Sequence, residues 1–181
     1  MKVVGLCGSS GSGKTSLAEG LIRELKASGQ RVSVVKHAHK RFDIDVPGKD
    51  SHRHREAGAF EVVIANNHRL AKVREFEVEY EPSVHDLLAE LVDCGEAHWV
   101  LVEGFKHAAL PKIEVWRAAH GAPALYAAGD PFVIAVATDP TPSLPTPTGL
   151  PVLDLNQPHA IAAFLLQDSA RYDYHAPQDI L

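Results

Sequence analysis

A glycine-rich stretch near the start of the chain has the residue types and spacing of a phosphate-binding loop. Residues 8–15 read Gly-Ser-Ser-Gly-Ser-Gly-Lys-Thr and satisfy the pattern G-x-x-x-x-G-K-[ST]. In such a loop the main-chain amides point inward toward an anion, and the following helix adds its positive N-terminal end. We expect Lys14 to bridge the β- and γ-phosphates and to serve catalysis, and the Thr15 hydroxyl to ligate Mg²⁺. The residues predicted to contact a nucleoside triphosphate here are Gly8, Ser10, Gly11, Ser12, Gly13, Lys14, Thr15 and Ser16.

A phosphate-binding loop of this kind works with a carboxylate that holds Mg²⁺ directly or through water. Glu103 follows the apolar run 99–102, and ligands collect at the carboxyl ends of strands in open α/β sheets. We therefore predict Glu103 as a metal ligand and catalytic residue, the alternative being a surface glutamate after a strand. Asp45, in the polar segment 38–60, is a second candidate, as an outer Mg²⁺ ligand or as a residue that positions water. Its alternative is a simple loop carboxylate.

Basic side chains and histidines lie at the end of the second predicted strand and beyond it. Lys36 and His37 occupy the tip of that strand and are predicted to contact the nucleotide. His37 and His39 are two residues apart, as are His52 and His54, so an extended chain would place each pair on one face. Such pairs could build a zinc site. Solvated or phosphate-facing histidines are the alternative, because no cysteine accompanies either pair.

The elements that must position these residues follow from the alternation of β-branched runs with helix-like stretches. This alternation predicts parallel strands joined by crossover helices. The strands are expected at 2–7, 31–37, 98–102, 113–116, 132–137 and 152–155, and the helices at 14–27, 84–91 and 159–166. A hairpin of 62–65 with 70–73, followed by a strand at 75–80, is expected to add antiparallel strands. The predicted fold class is α/β: a three-layer P-loop fold whose mostly parallel twisted sheet is flanked by helices, with an antiparallel extension.

Composition limits the classes of protein to which the chain can belong. A length of 181 residues suits one P-loop domain, which we place at 1–169 and follow with a loose tail at 170–181. The net charge of −5 gives no basic field for DNA or RNA, so nucleic acid is not an expected partner. No apolar run approaches the roughly 20 residues that cross a bilayer, so we expect no membrane association and a cytoplasmic protein. Two cysteines without a CxxC pair are typical of a reducing compartment.

Several segments together carry a family resemblance. They are residues 8–16, 36–39, 43–51, 55–59, 101–106 and 134–139. The P-loop is shared by very many families, whereas Pro-Gly-Lys-Asp-Ser at 47–51 and Glu-Gly-Phe-Lys at 103–106 are much more selective. With these segments the chain resembles the MobB family, the molybdopterin-guanine dinucleotide biosynthesis adaptor proteins, over about residues 1–160.

The resemblance implies a GTP-binding protein with weak GTPase activity and with Mg²⁺ as its metal. It also implies a homodimer that assists MobA, the guanylyltransferase that couples GMP to molybdopterin. Molybdopterin itself is a further candidate ligand. In this family reading Glu103 takes the Walker B position, and residues 45–51 form a switch-like loop. The chain has no Asn-Lys-x-Asp sequence for reading guanine, so Thr138 and Asp139 are the candidate substitute. A plain turn after a strand is the alternative for that pair.

Hydrolysis is expected to be slow, because the sequence assigns no glutamine that would orient water and no arginine finger. Arg41, Arg53 and Arg55 are candidates for such a finger. Three other functions remain open. A small-molecule P-loop kinase would carry paired lid arginines late in the chain, where only Arg171 follows residue 118. The second alternative is a metallochaperone GTPase, which the histidines suggest. The third is a scaffold that merely retains bound nucleotide.

Overall fold

The computed structural model describes residues 1–38, 41–140 and 144–177. The chain divides into two compact units, one comprising the described residues of Met1–His37 and Ser83–Leu181, the other those of Ala38–Pro82.

The first unit is built on a six-stranded sheet in the order β2-β5-β1-β6-β7-β8, in which every neighbouring pair is parallel. Its strands are β1 (Lys2–Cys7), β2 (Arg31–Lys36), β5 (His98–Glu103), β6 (Lys112–Val115), β7 (Val133–Thr138) and β8 (Val152–Asp154). Continuous apolar runs form these strands because both faces of a parallel sheet are covered. The predicted fold class is confirmed, with strand ends within a residue or two of those expected from the sequence.

Helices cover the two faces of this sheet. The helices of the unit are α1 (Lys14–Ala27), α3 (Val84–Ala89) and α4 (Pro158–Gln167). Alternate residues of a strand point to opposite faces, so Val4 packs with Leu21 of α1 on one side, while Val3 packs with Leu88 of α3 on the other. The buried core thereby fixes the carboxyl ends of the strands, where the predicted site lies.

The second unit contains helix α2 (Asp50–Glu56) and a hairpin of β3 (Glu61–Ala65) with β4 (Leu70–Arg74). The hairpin turns at Asn66, whose side-chain oxygen accepts from the amides of His68 and Arg69. The predicted hairpin is confirmed, and it pairs as a two-stranded sheet of its own instead of extending the six-stranded sheet. None of the described residues of this unit is fully buried.

Two segments differ from the sequence-based expectation. The strand predicted at 75–80 is wrong: its residues alternate in polarity, yet no strand among the described residues pairs with them. Within it, the rings of Phe76 and Tyr80 meet edge to face at 5.2 Å. A loose tail was expected from residue 170, but Ser169–Tyr172 forms a short 3₁₀ helix. Tyr172 is buried against Trp99, and the burial of its large apolar ring favours this ordered conformation.

In the part of the chain that the structure describes, no helix is long and apolar enough to cross a membrane.

Candidate functional site

The loop between β1 and α1 follows the end of a central strand and turns tightly beneath β6. Gly8 adopts a φ of 132°, and a Cβ at this position would lie 2.2 Å from the carbonyl oxygen of Val115. No L-residue with a side chain fits this approach without moving β6. The loop ends at Gly13, which occupies the N-cap of α1 and supplies no side-chain cap. The first amides of the helix therefore have no intrahelical or side-chain acceptor and are free to bind an anion.

Lys14 and Ser12 place an ammonium group and a buried hydroxyl at this loop. The Lys14 ammonium arches back over the loop and donates to the carbonyls of Gly8 at 3.0 Å and Ser9 at 2.6 Å. Ser12 is fully buried, and its Oγ has no hydrogen-bond partner among the described residues. A buried hydroxyl without a partner is costly and typically marks a place for a bound polar group. The loop thus gathers a cation, a hydroxyl and unpaired amides, all of which suit phosphate.

Thr15 and Glu103 meet at the mouth of this loop. The Thr15 hydroxyl donates to Glu103 Oε1 at 3.1 Å, although the two residues are 88 positions apart. The parallel pairing of β1 with β5 creates this approach, because it carries Glu103 to the same edge of the sheet as the loop. A hydroxyl and a carboxylate are hard oxygen ligands, so the pair fits Mg²⁺. The structure brings the two predicted ligands together.

Lys36 and His37 lie on the Glu103 side of the loop, at the end of β2. Lys36 Nζ is 3.6 Å from Glu103 Oε1, with more than half of its side chain exposed. The amide of His37 donates to the carbonyl of Glu103 at 2.9 Å, and its ring lies 5.2 Å from that of Phe105. Gly104 has a φ of 107°, and a Cβ there would approach His37 Cβ to 2.8 Å. Gly104 thus lets two strand ends approach each other closely.

Asp139 lies on the opposite side of the loop, together with Arg117, which belongs to no recognisable sequence motif. Arg117 follows β6, and its Nε lies 3.6 Å from Asp139 Oδ1, an ion-pair distance too long for a hydrogen bond. That Nε is buried and has no hydrogen-bond partner among the described residues. Thr138 is the last residue of β7 and is buried, and its carbonyl accepts from the amide of Leu155. No local motif marks Arg117, since only the order of strands brings it here.

A cavity of about 390 Å³ opens beside this arginine. It is lined by Gly11, Gly13, Ser16, Leu17, Arg117, Leu155, Asn156 and Pro158. Three of these belong to the predicted phosphate-contacting set, so the cavity is continuous with the loop.

Asp45 belongs to the second unit, where its oxygens have protein partners. The Ser51 hydroxyl donates to Oδ1 at 2.9 Å, and the Arg55 guanidinium lies 3.3 Å from Oδ2. The Ser51 hydrogen bond, with help from Arg55, lowers the pKa of Asp45 below its usual value. Arg55 also pairs with Asp43 at 3.1 Å and with Glu75 at 2.7 Å, so this candidate finger is tied to three carboxylates.

The histidine pairs have a different geometry from the one that the sequence suggested. His52 and His54 lie within α2, where residues two apart point to different faces, so the shared face expected from an extended chain is wrong. His52 Nδ1 is instead 3.5 Å from Glu56. His39 lies outside the described residues. Across residues 1–38, 41–140 and 144–177, no group of three or more His, Cys, Asp or Glu side chains could hold a metal ion.

The chain is similar over most of its length to a known protein family and to solved structures. The family model "Molybdopterin guanine dinucleotide synthesis protein B" matches residues 3–139. The chain is 41% identical over 163 residues to a molybdopterin-guanine dinucleotide biosynthesis adapter protein of Haemophilus influenzae, covering 90% of this chain and 86% of that one. It is 37% identical over 158 residues to the adapter protein of Escherichia coli, with 87% of each chain covered. A solved MobB homolog from Bacillus stearothermophilus shares the fold, with a TM-score of 0.64 and 23% identity over 94% of this chain and 99% of that chain.

Proposed function

This chain belongs to the family of molybdopterin guanine dinucleotide synthesis protein B, and we propose that it is a GTP-binding adapter in the synthesis of molybdopterin guanine dinucleotide. The family membership confirms the resemblance drawn from the sequence. The names of its relatives support the adapter role, and the geometry of the loop at 8–15 supports nucleotide binding.

One observation carries the nucleotide proposal: the Thr15 hydroxyl and the Glu103 carboxylate meet at 3.1 Å at the mouth of the phosphate-binding loop. Two oxygen ligands from distant parts of the chain, placed beside the uncapped first turn of α1 and a lysine, favour a phosphate-bound divalent cation over a bare anion. When bound, Mg²⁺ would neutralise charge on the phosphates. Thr15 and Glu103 would hold it, while the amides at the start of α1 and the Lys14 ammonium bind phosphate oxygens.

The weak GTPase activity is part of this proposal, and it is supported by the sequence, which assigns no glutamine or arginine finger to catalysis. Fast phosphoryl transfer requires a group that orients water and a cation that stabilises the developing charge. Of the arginines considered from the sequence, Arg55 is held by Asp43, Asp45 and Glu75. A group supplied by a partner would therefore raise the rate. We propose a MobA-type guanylyltransferase or a second copy of this chain in a homodimer as that partner.

The proposal is tested by equilibrium binding of GTP, ATP and GMP, each with and without Mg²⁺. Wild-type protein is expected to bind GTP most tightly and to lose affinity when Mg²⁺ is removed. Glu103→Gln should weaken this dependence on Mg²⁺, whereas Glu19→Gln, an exposed glutamate of α1, should leave it unchanged. Equal binding with and without the metal, or no binding of any nucleotide, would contradict the proposal.

Turnover separates the adapter from its alternatives. Multiple-turnover phosphate release that Lys14→Ala abolishes would exclude a scaffold that only retains nucleotide. Single-turnover hydrolysis with and without the guanylyltransferase tests the partner, and an unchanged rate counts against a contribution from it. Tight binding of Ni²⁺ or Zn²⁺ in equilibrium dialysis would favour a metallochaperone instead.

A further inference from the structure

We propose that the cavity beside the P-loop receives the purine base of the nucleotide, and that Arg117 is the residue that selects a base with a 6-oxo group. This inference rests on the proposed function, because it concerns the far end of the same ligand. It assigns a role to a residue that no sequence motif indicates.

The strand order gives the loop two distinct sides. Glu103 and Lys36 come from the ends of β5 and β2, which lie on one side of β1. Arg117, Asp139 and Asn156 follow β6, β7 and β8, which lie on the other side. A nucleoside triphosphate is a linear ligand, with its metal-bound phosphates at one end and its base at the other. If Mg²⁺ lies between Thr15 and Glu103, the base must lie toward Arg117.

The cavity has the size of a small-ligand site, and its lining combines polar with apolar groups. Its volume of about 390 Å³ falls within the roughly 300–1,000 Å³ that small-molecule pockets occupy. The Leu155 side chain and Pro158 give it apolar surface, while Arg117 and Asn156 give it polar groups. It adjoins Gly13, where a Cβ would lie 3.7 Å from the Arg117 guanidinium, so the arginine borders the phosphate loop directly. A concave site that joins some apolar surface to placed polar groups can bind a flat heterocycle with polar edges.

Arg117 carries the specificity because its donor is unsatisfied. A guanidinium has only donors, and the buried Nε has no hydrogen-bond partner among the described residues. A buried donor without an acceptor is destabilising until a ligand supplies one. Guanine offers two acceptors, O6 and N7, which match the arginine fork, whereas adenine places an amino donor at position 6. Asp139 lies 3.6 Å from Arg117 and adds an acceptor for the N1 and N2 hydrogens of guanine.

The test compares ligands that contain the base with one that lacks it. We measure affinities for GTP, ITP, ATP and inorganic tripolyphosphate, all with Mg²⁺, for wild type, Arg117→Met and the control Arg23→Met, an exposed arginine of α1. Arg117→Met is expected to lose about tenfold to hundredfold for GTP and ITP, which share the 6-oxo group, and little for ATP or tripolyphosphate. Arg23→Met should match wild type.

The outcomes separate this inference from the function on which it rests. If wild type binds GTP and Arg117→Met binds it equally well, or if the variant loses GTP and tripolyphosphate in parallel, Arg117 does not read the base and the inference fails alone. If wild type binds neither ligand, the proposed function fails as well. Should Arg117→Met not fold, Arg117→Lys keeps the charge beside Asp139. Its expected partial loss of GTP binding, with tripolyphosphate unaffected, supports the inference, and no loss overturns it.

Discussion

Replacing Gly8 by alanine is expected to cost the protein far more stability than the same change at another glycine of positive φ. Gly8 has a φ of 132°, and an added Cβ would lie 2.2 Å from the Val115 carbonyl oxygen, well inside van der Waals contact. Val115 is fully buried in β6, so its backbone can move only by disturbing the sheet. Left-handed strain costs about 1–2 kcal/mol, and overpacking adds about 1–3 kcal/mol. The expected loss in the free energy of unfolding is therefore about 2–5 kcal/mol.

Gly29→Ala is the matched control. Gly29 also has a positive φ, at 80°, but nothing lies within 4 Å of its added Cβ, so only the strain of about 1–2 kcal/mol applies. Urea denaturation of both variants measures the difference, and thermal unfolding should follow at about 2–4 °C per kcal/mol for a chain of this length. Equal destabilisation of the two variants would refute the close packing of the loop against β6.

Three further predictions concern other parts of the chain. Burial raises the pKa of Cys7 from 9.0 to about 12, so the folded protein keeps a proton that the unfolded chain releases. The free energy of unfolding should fall as pH rises from about 9 to 12, less so in Cys7→Ala, and an identical slope in the variant would contradict this. Ser83→Ala removes the capping box of α3 and should cost about 1 kcal/mol in urea denaturation, whereas no change would mean that the cap is dispensable. Arg55→Met separates Asp43 and Asp45 from their cation and should speed proteolysis within residues 38–82, with Arg53→Met as the exposed control.

The sequence predicts the sheet and the glycine-rich turn between β1 and α1 well because their signals are local. Continuous apolar runs indicate buried parallel strands, and the spacing of Gly8, Gly13 and Lys14 indicates a turn between strand and helix. The placement of Glu103 could also be predicted, since a residue at the end of a parallel strand lies at the carboxyl edge of such a sheet. Its meeting with Thr15 follows from that placement.

The features that escape the sequence depend on distant parts of the chain. The segment 75–80 alternates as a strand would, but a strand also needs a neighbour for its hydrogen bonds, and periodicity carries no information about one. Arg117 has no motif, because it reaches the cavity only through the adjacency of β6, β1 and β7. His52 and His54 share a face only in an extended chain, and the helix that begins at Asp50 separates them.

The most direct measurement of the central claim is the equilibrium affinity of wild type, Lys14→Ala and Lys26→Ala for GTP with Mg²⁺. Lys14 lies over the phosphate-binding loop, whereas Lys26 is an exposed lysine in the last turn of the same helix. Lys14→Ala is expected to lose at least about tenfold in affinity, as for a charged phosphate contact of about 1.5–3 kcal/mol, while Lys26→Ala should equal wild type. Wild-type protein that does not bind GTP, or a Lys14→Ala variant that binds it equally well, would contradict the account.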